Sequence, residues 1–284
     1  MHDIFCFTDI HGQYDLYRAI MDYCYEQDPE AMIIFCGDAI DRGKDGYRIM
    51  NELLDNPHVV YLMGNHEDMF CKAARQIKEL FGFKNPVREN VMKVLSSTMN
   101  FDYKYHHIQD SLYNGGIFTL TDWVMDGMPI ELVERIEKLP LTFSTDTCDF
   151  CHSACVHRSF ENVAWAEYNR EEPDSYCAES LIWGRTGLGF GWAPNRTAIF
   201  GHTPVPLLST YVHVNWNKDE KVRPIKFYGE KDKMELAPTE TGAKIDMDTG
   251  AVFTNRIFVL NVLTMKAQGF EKKDKVEKIE VIQF

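Results

Sequence analysis

An α/β fold follows from three observations. Short apolar runs alternate with amphipathic helical segments through the first third of the 284-residue chain. The middle, about 70–145, carries mostly helical signals. Beyond 145, strand-like runs return. Strands alternating with helices form βαβ units with largely parallel pairing.

The elements can be taken in order. IFCFTDI, from Ile4, reads as a buried strand, and Gln13 to Glu26 has helical spacing through Leu16, Ile20 and Tyr23. Ala31 to Cys36 is a second strand. Asp45 to Leu54 is a second helix, stopped by Asn56-Pro57. Val59 to Met63 and Glu67 to Phe81 repeat the pattern. Helical signals follow at 87–99, after Pro86, and at Ile130–Leu139, after Pro129, with Asn114-Gly115-Gly116 interrupting them. The segment reads as a helical insertion in a single 1–284 domain. TCDFCHS, TAIFGHT, AKIDMDTG, RIFVLNV and VEKIEVIQF are the later strands. The last two, joined by a Lys/Gly-rich segment, suggest a C-terminal antiparallel hairpin, with Lys266 to Lys278 as a solvated face.

Composition narrows the partners. A chain 45% hydrophobic and 26% charged is ordinary for a soluble globular protein. Its net charge of −13 repels nucleic-acid backbone and anionic membrane. A phosphate substrate therefore needs a local positive centre. No apolar run approaches the roughly 20 residues of a membrane span. The opening apolar run is too short for a leader's core, so the expected location is the cytoplasm. The eight cysteines then read as reduced thiols. Cys148-x2-Cys151 with Cys155 invites a zinc reading. On a strand, however, Cys148 and Cys151 point to opposite faces and do not chelate together.

The informative feature is what ends each apolar run. IFCFT ends in Asp9-Ile10-His11-Gly12, and MIIFC in Gly37-Asp38-Ala39-Ile40-Asp41-Arg42-Gly43. VVYLM ends in Gly64-Asn65-His66-Glu67, TCDFC in His152, and TAIF in Gly201-His202-Thr203. In open α/β sheets ligands bind at the carboxyl ends of strands. Carboxylate, imidazole and amide oxygen together suit borderline-to-hard divalent ions such as manganese, iron or zinc. One shared carboxylate can bridge two ions about 3.5–4 Å apart. Asp38, in the tightest turn, is the natural bridge. Arg42 beside it suits an anionic substrate, because guanidinium pairs bidentately with phosphate oxygens.

In order, TDIHG, GDAIDRG, GNHE, FCHSA and FGHTP resemble the signature of the phosphoprotein phosphatases within the calcineurin-like metallophosphoesterases. The match runs from Asp9 to His202, and IDMDTGAV resembles the family's closing strand. LIWGR, 181–185, and NGG, 114–116, resemble bacterial members, and no counterpart of the eukaryotic C-terminal signature is present. The resemblance implies a four-layer α/β/β/α sandwich and two metal ions. Asp9 and His11 hold the first ion, Asp38 bridges, and Asn65, His152 and His202 complete the second shell. Arg42, Asn65 and Arg185 contact the phosphoryl group. His66, paired with Asp41, is the general acid. Two departures stand out: Thr8 where the first motif usually has glycine, and Ser153-Ala154 after the third histidine motif.

The activity implied is hydrolysis of phosphomonoesters by in-line attack of a metal-bridging hydroxide, with protein phosphoserine or phosphothreonine favoured. A symmetrical dinucleoside tetraphosphatase is the second reading, and a non-catalytic phosphate-binding module the third. His2, His58, His106, His107, His157 and His213 belong to no motif and read as surface or core residues.

Overall fold

The computed structural model describes residues 2–81, 103–162, 175–189, 192–207, 226–228 and 242–284, with single positions at 89, 92, 93 and 95. Its strands are β1 (Ile4–Phe7), β2 (Met32–Phe35), β3 (Val59–Tyr61), β4 (Thr142–Ser144), β5 (Cys148–Cys151), β6 (Thr197–Phe200), β7 (Lys226–Tyr228), β8 (Ala243–Asp246), β9 (Arg256–Asn261), β10 (Lys266–Lys272) and β11 (Val276–Gln283). Its helices are α1 (Tyr14–Gln27), α2 (Gly46–Asp55), α3 (Asn65–Phe81), α4 (His106–Tyr113), α5 (Ile117–Met125), α6 (Ile130–Ile136), α7 (Ser175–Trp183) and α8 (Ala251–Thr254).

The strands form two sheets, ordered β11-β10-β9-β1-β2-β3 and β4-β5-β6-β8-β7. In the first, β1, β2 and β3 are parallel. In the second, β5, β6 and β8 are parallel. The carboxyl ends of each parallel set therefore share one edge of their sheet.

Period-two alternation sorts the side chains into layers. On β1, Phe5 and Phe7 enter the core beneath the helices, while Cys6 enters the core between the sheets. On β2, Ile33 and Phe35 take the helix side and Ile34 the inter-sheet side. Cys148, Phe150, Ile199 and Ile245 fill the inter-sheet core from the second sheet. Cys151, Ala198 and Phe200 face outward, beneath Cys177 and Leu181 of α7. The result is the expected four-layer arrangement. Cys148 and Cys151 do lie on opposite faces, and all eight cysteines are buried free thiols.

The segment 103–136 adds α4, α5 and α6. Their apolar residues Ile108, Leu120, Trp123, Val133 and Ile136 join the same core as Leu16 of α1 and Phe70 of α3. A helix over 87–99 falls largely outside the described residues. No described helix is long and apolar enough to cross a membrane.

The C-terminal hairpin needs correction. RIFVLNV and VEKIEVIQF do not pair with each other, because the Lys/Gly-rich segment between them is itself β10 and pairs with both. Ala267 and Phe270 carry that strand into the inter-sheet and helix-side cores respectively. The two residues are three apart, so alternation alone puts them on opposite faces, and the register shift between Gln268 and Phe270 belongs to the pairing with β11. The lysines do lie on a solvated face, where Lys272 pairs with Asp15, Lys273 with Glu271 and Lys278 with Glu26. The short strand β4 also gave no sequence signal and pairs antiparallel with β5.

Phe150 lies in the inter-sheet core with no exposed surface. Phe150→Ala should destabilise the fold by about 3–5 kcal/mol, through lost burial and a residual cavity. Urea denaturation measures this, and a loss below about 1 kcal/mol would mean that the sheets close over the gap.

Candidate functional site

The strand ends converge as the sequence suggests, and the backbone there is unusual. Of ten described non-glycine residues with positive φ, six are Asp9, His11, Asp38, Asp41, Arg42 and His202. Each such residue costs on the order of 1–3 kcal/mol and persists only where its surroundings over-determine it. Here the turns after β1 and β2 are zipped together. Asp9 N–H donates to Gly37 O at 3.0 Å, His11 N–H to Asp38 O at 3.0 Å and Gly12 N–H to Ala39 O at 2.8 Å. Two glycines then permit the close approach. A Cβ on Gly64 would collide with Asp38 Oδ1, and one on Gly201 with Asp9 Oδ2.

Asp38 is central and buried. Its Oδ2 lies 3.6 Å from His11 Nε2 and 3.8 Å from His66 Nε2. Its Oδ1 lies 3.4 Å from His152 Nε2 and accepts the His66 N–H at 3.1 Å. Each oxygen thus faces a different cluster. Ligand-capable atoms of His11, Asp38 and His66 lie within 4.8 Å of one another, as do those of Asp38, His152 and His202. Asp9 Oδ1 is 4.0 Å from His11 Nε2. Asn65 Oδ1 sits 2.9 Å from His152 Nε2 and 2.8 Å from His202 Nδ1.

The donor set fits cations. His11 Nδ1 donates to Ile40 O at 2.8 Å, and His152 Nδ1 to Cys36 O at 2.7 Å. Those bonds leave each Nε2 lone pair aimed inward, as metal-ligating histidines require. Burial holds the His11 imidazole well below its usual range, reinforced by the Arg42 charge, and burial takes His152 down to about 3. His202 is likewise held low by burial. His152 Nε2 and Asn65 Oδ1 are then two acceptors in contact, an arrangement that a cation resolves. The acids agree. Burial raises Asp9, helped by the Asp248 and Asp38 charges, and raises Asp38, helped by Glu67. A divalent ion reverses both causes.

On the open side is Arg42, an exposed residue. Its Nη1 donates to His11 Nε2 and its Nη2 to His66 Nε2, both at 3.0 Å. His66 Nδ1 donates to Asp41 Oδ2 at 2.8 Å, and both residues are fully buried. Arg185, half-buried, follows α7 on a loop stitched to the segment after His152. Gly187 N–H donates to Ala154 O at 3.0 Å, and Gly184 N–H to Ser153 Oγ at 2.9 Å. The Arg185 charge acts on His152, His202 and Asp248. Both departures from the family pattern take part. Thr8 Oγ1 donates to Asp9 Oδ2 at 2.6 Å, and Ser153 secures the Arg185 loop.

Three groups escaped the sequence reading. Glu67, fully buried, accepts N–H groups from Asp38, Ala39 and Gly64 and the Tyr61 hydroxyl. Asp246 and Asp248 end β8 in the same way that acids end β1 and β2, so the strand-end rule could have found them. Asp246 Oδ2 is buried without a hydrogen-bond partner. Burial pushes Asp248 up to about 6. The unrecruited histidines lie elsewhere. His2 pairs with Asp28, His58 meets the Tyr25 ring, and His157 meets Trp192. His106 and His107 line a cleft of about 510 Å³ along α3 that no proposed ligand residue borders. His213 lies outside the described residues.

The model of the calcineurin-like phosphoesterases matches residues 2–231. The chain belongs to this family, whose members bind divalent metals and hydrolyse phosphoesters. Among solved structures, the chain is similar to a candidate diadenosine tetraphosphatase, at 11% identity and TM-score 0.46, over 98% of this chain and 93% of that one. It is also similar to a metallophosphoesterase from Sphaerobacter thermophilus, at 10% identity and TM-score 0.44, over 100% and 88%. A protein serine/threonine phosphatase from Saccharomyces cerevisiae aligns at 13% identity and TM-score 0.44, over 100% and 81%. No curated protein matches.

Glu67→Ala removes the acceptor that fixes the Asp38 turn. It should weaken divalent-metal affinity by about 10–100-fold, as loss of a ligand-orienting partner does elsewhere. Calorimetric titration with manganese measures it, and wild-type affinity would show that the turn holds without Glu67. Metal uptake should also weaken as pH falls, because burial raises the Asp9 and Asp38 carboxyls and protons bound there must be displaced by the ion. Proton release on metal addition at pH 5.5 checks the sign.

Proposed function

We propose that the chain is a two-metal phosphatase acting on phosphomonoesters, with phosphoserine or phosphothreonine in proteins as the favoured substrate. Asp9, His11 and Asp38 would hold one ion, and Asp38, Asn65, His152 and His202 the other. Bound ions, on donor chemistry manganese, iron or zinc, would supply Lewis acidity to the phosphoryl oxygens and make a water nucleophilic near neutral pH.

The chain's own residues do the rest. Arg42, Arg185 and the Asn65 amide bind the phosphoryl group and orient it for in-line displacement. Arg42 lies on the solvent side, where an incoming ester meets it first. His66 would deliver a proton to the departing oxygen from Nε2 once Arg42 has left that nitrogen for the phosphoryl oxygens, while Asp41 fixes the ring through Nδ1. The observation that carries this reading is the position of His66: Asp41 on one nitrogen and the Arg42 guanidinium on the other, 2.8 and 3.0 Å away. A phosphoryl oxygen gripped by Arg42 is within reach of that second nitrogen.

A serine or threonine alkoxide is strongly basic and needs a proton as it leaves. The phosphate leaving group of a dinucleoside polyphosphate is far less basic and needs none, and a binding module has no use for a donor. An oriented His66 therefore favours the monoester.

Two measurements test this. With manganese added, turnover of a phosphothreonine peptide should exceed that of diadenosine tetraphosphate; the reverse order would move the protein to the nucleotide hydrolases. His66→Asn should lower peptide turnover by about 10²–10⁴-fold with metal content unchanged. Full turnover in that variant would remove His66 from the acid role.

A further inference from the structure

The Asp41 carboxylate has two oxygens and two side-chain partners. Oδ2 accepts from His66 Nδ1 at 2.8 Å. Oδ1 accepts from the hydroxyl of Thr119 at 2.7 Å. The same hydroxyl oxygen accepts the Asp41 backbone N–H at 3.1 Å. Thr119 lies in the first turn of α5, within the helical insertion, and is 1% exposed. One turn earlier, Gly115 O accepts the Arg42 N–H at 2.9 Å. A Cβ on Gly115 would lie 2.9 Å from Arg42 N, so only glycine permits that approach. Asp41 and Arg42 are consecutive residues with φ of 66° and 62°. Their left-handed turn is thus gripped twice by the insertion.

We propose that Thr119 is a positioning residue for the Asp41–His66 pair, so that the helical insertion completes the proton-delivery machinery. This rests on the reading of His66 as proton donor. A carboxylate with one anchored oxygen is free to rotate about its Cβ–Cγ bond. With both anchored, Oδ2 is fixed toward His66 Nδ1 and the imidazole plane is fixed with it. No other side chain hydrogen-bonds the Asp41 carboxylate among the described residues. A hydroxyl is required because the one atom both donates to Oδ1 and accepts from the Asp41 N–H.

The test is Thr119→Val, which keeps shape and loses the hydroxyl, with Thr119→Ser as rescue. Steady-state kinetics would compare a phosphothreonine peptide with p-nitrophenyl phosphate, whose leaving group needs little protonation. Thr119→Val should lower kcat on the peptide by roughly tenfold with KM unchanged, and by less than about twofold on p-nitrophenyl phosphate. Thr119→Ser should recover most of the loss. In the metal-free protein, the His66 Nδ1–H proton resonance should shift in Thr119→Val and return in Thr119→Ser. Equal losses on both substrates together with a lowered Tm would mark a purely structural role and overturn the proposal. Wild-type kinetics with an unmoved resonance would also overturn it. His66→Asn is run alongside. If it shows the leaving-group selectivity and Thr119→Val does not, only the Thr119 proposal fails. If His66→Asn shows none, the acid reading fails, and the resonance alone decides whether Thr119 orients the pair.

Discussion

The Glu67 carboxylate is the joint on which the site depends. It is fully buried, and it accepts three backbone N–H groups and a tyrosine hydroxyl. Burying a carboxylate costs several kcal/mol, and hydrogen bonds to a charged group return about 1.5–3 kcal/mol each. Four such bonds offset the burial and at the same time fix the geometry of the turn. The bonds tie the Asp38 turn to the first turn of α3. Asp38, Asn65 and His66 therefore move as one body. Remove that tie and the shared carboxylate has no fixed relation to the amide and imidazole beside it.

The rest of the site is built by the same logic from the second sheet. His152 ends β5, His202 follows β6 and Asp248 follows β8, three parallel neighbours. The inter-sheet core holds the two carboxyl edges together. Backbone strain and like charge are both concentrated there. Asp9, Asp38 and Asp248 repel one another in a dry setting, and Arg42 and Arg185 only partly compensate. Such a cluster is unfavourable in isolation and becomes favourable with cations, which is the balance expected where binding is the purpose.

The sequence was most legible where one local pattern carried the information. Strand-end Asp, His and Asn after apolar runs located Asp9, His11, Asp38, Asn65, His152 and His202, and the structure brings them together. Asp248 follows the same pattern after AKID, but that run reads only as a closing strand. Glu67 looked like an ordinary first-turn acid of a helix. Its partners are 3, 6, 28 and 29 residues away, and only the long-range pair distinguishes it from a cap. Thr119 had no local signal at all, since its contact with Asp41 spans 78 residues. Strand β10 was hidden by composition. Its lysines read as part of a solvated face, and Lys272 does pair with Asp15 at the surface, while Ala267 and Phe270 enter the cores.

The strand order has a consequence for synthesis. β1, which delivers Asp9 and His11, pairs on one side with β2 and on the other with β9. Its second neighbour is therefore translated about 250 residues after it, and Asp248 only shortly before. A ribosome-bound chain can form the parallel β1–β2–β3 unit and its helices early. It does so with one edge of β1 unpaired and the whole inter-sheet face uncovered. Such an edge is a template for wrong pairing, and the uncovered face is apolar. The acids and imidazoles at the strand ends stay incomplete until the segment carrying Asp248 and β9 has been made, so assembly of the centre follows formation of the β1–β2–β3 unit.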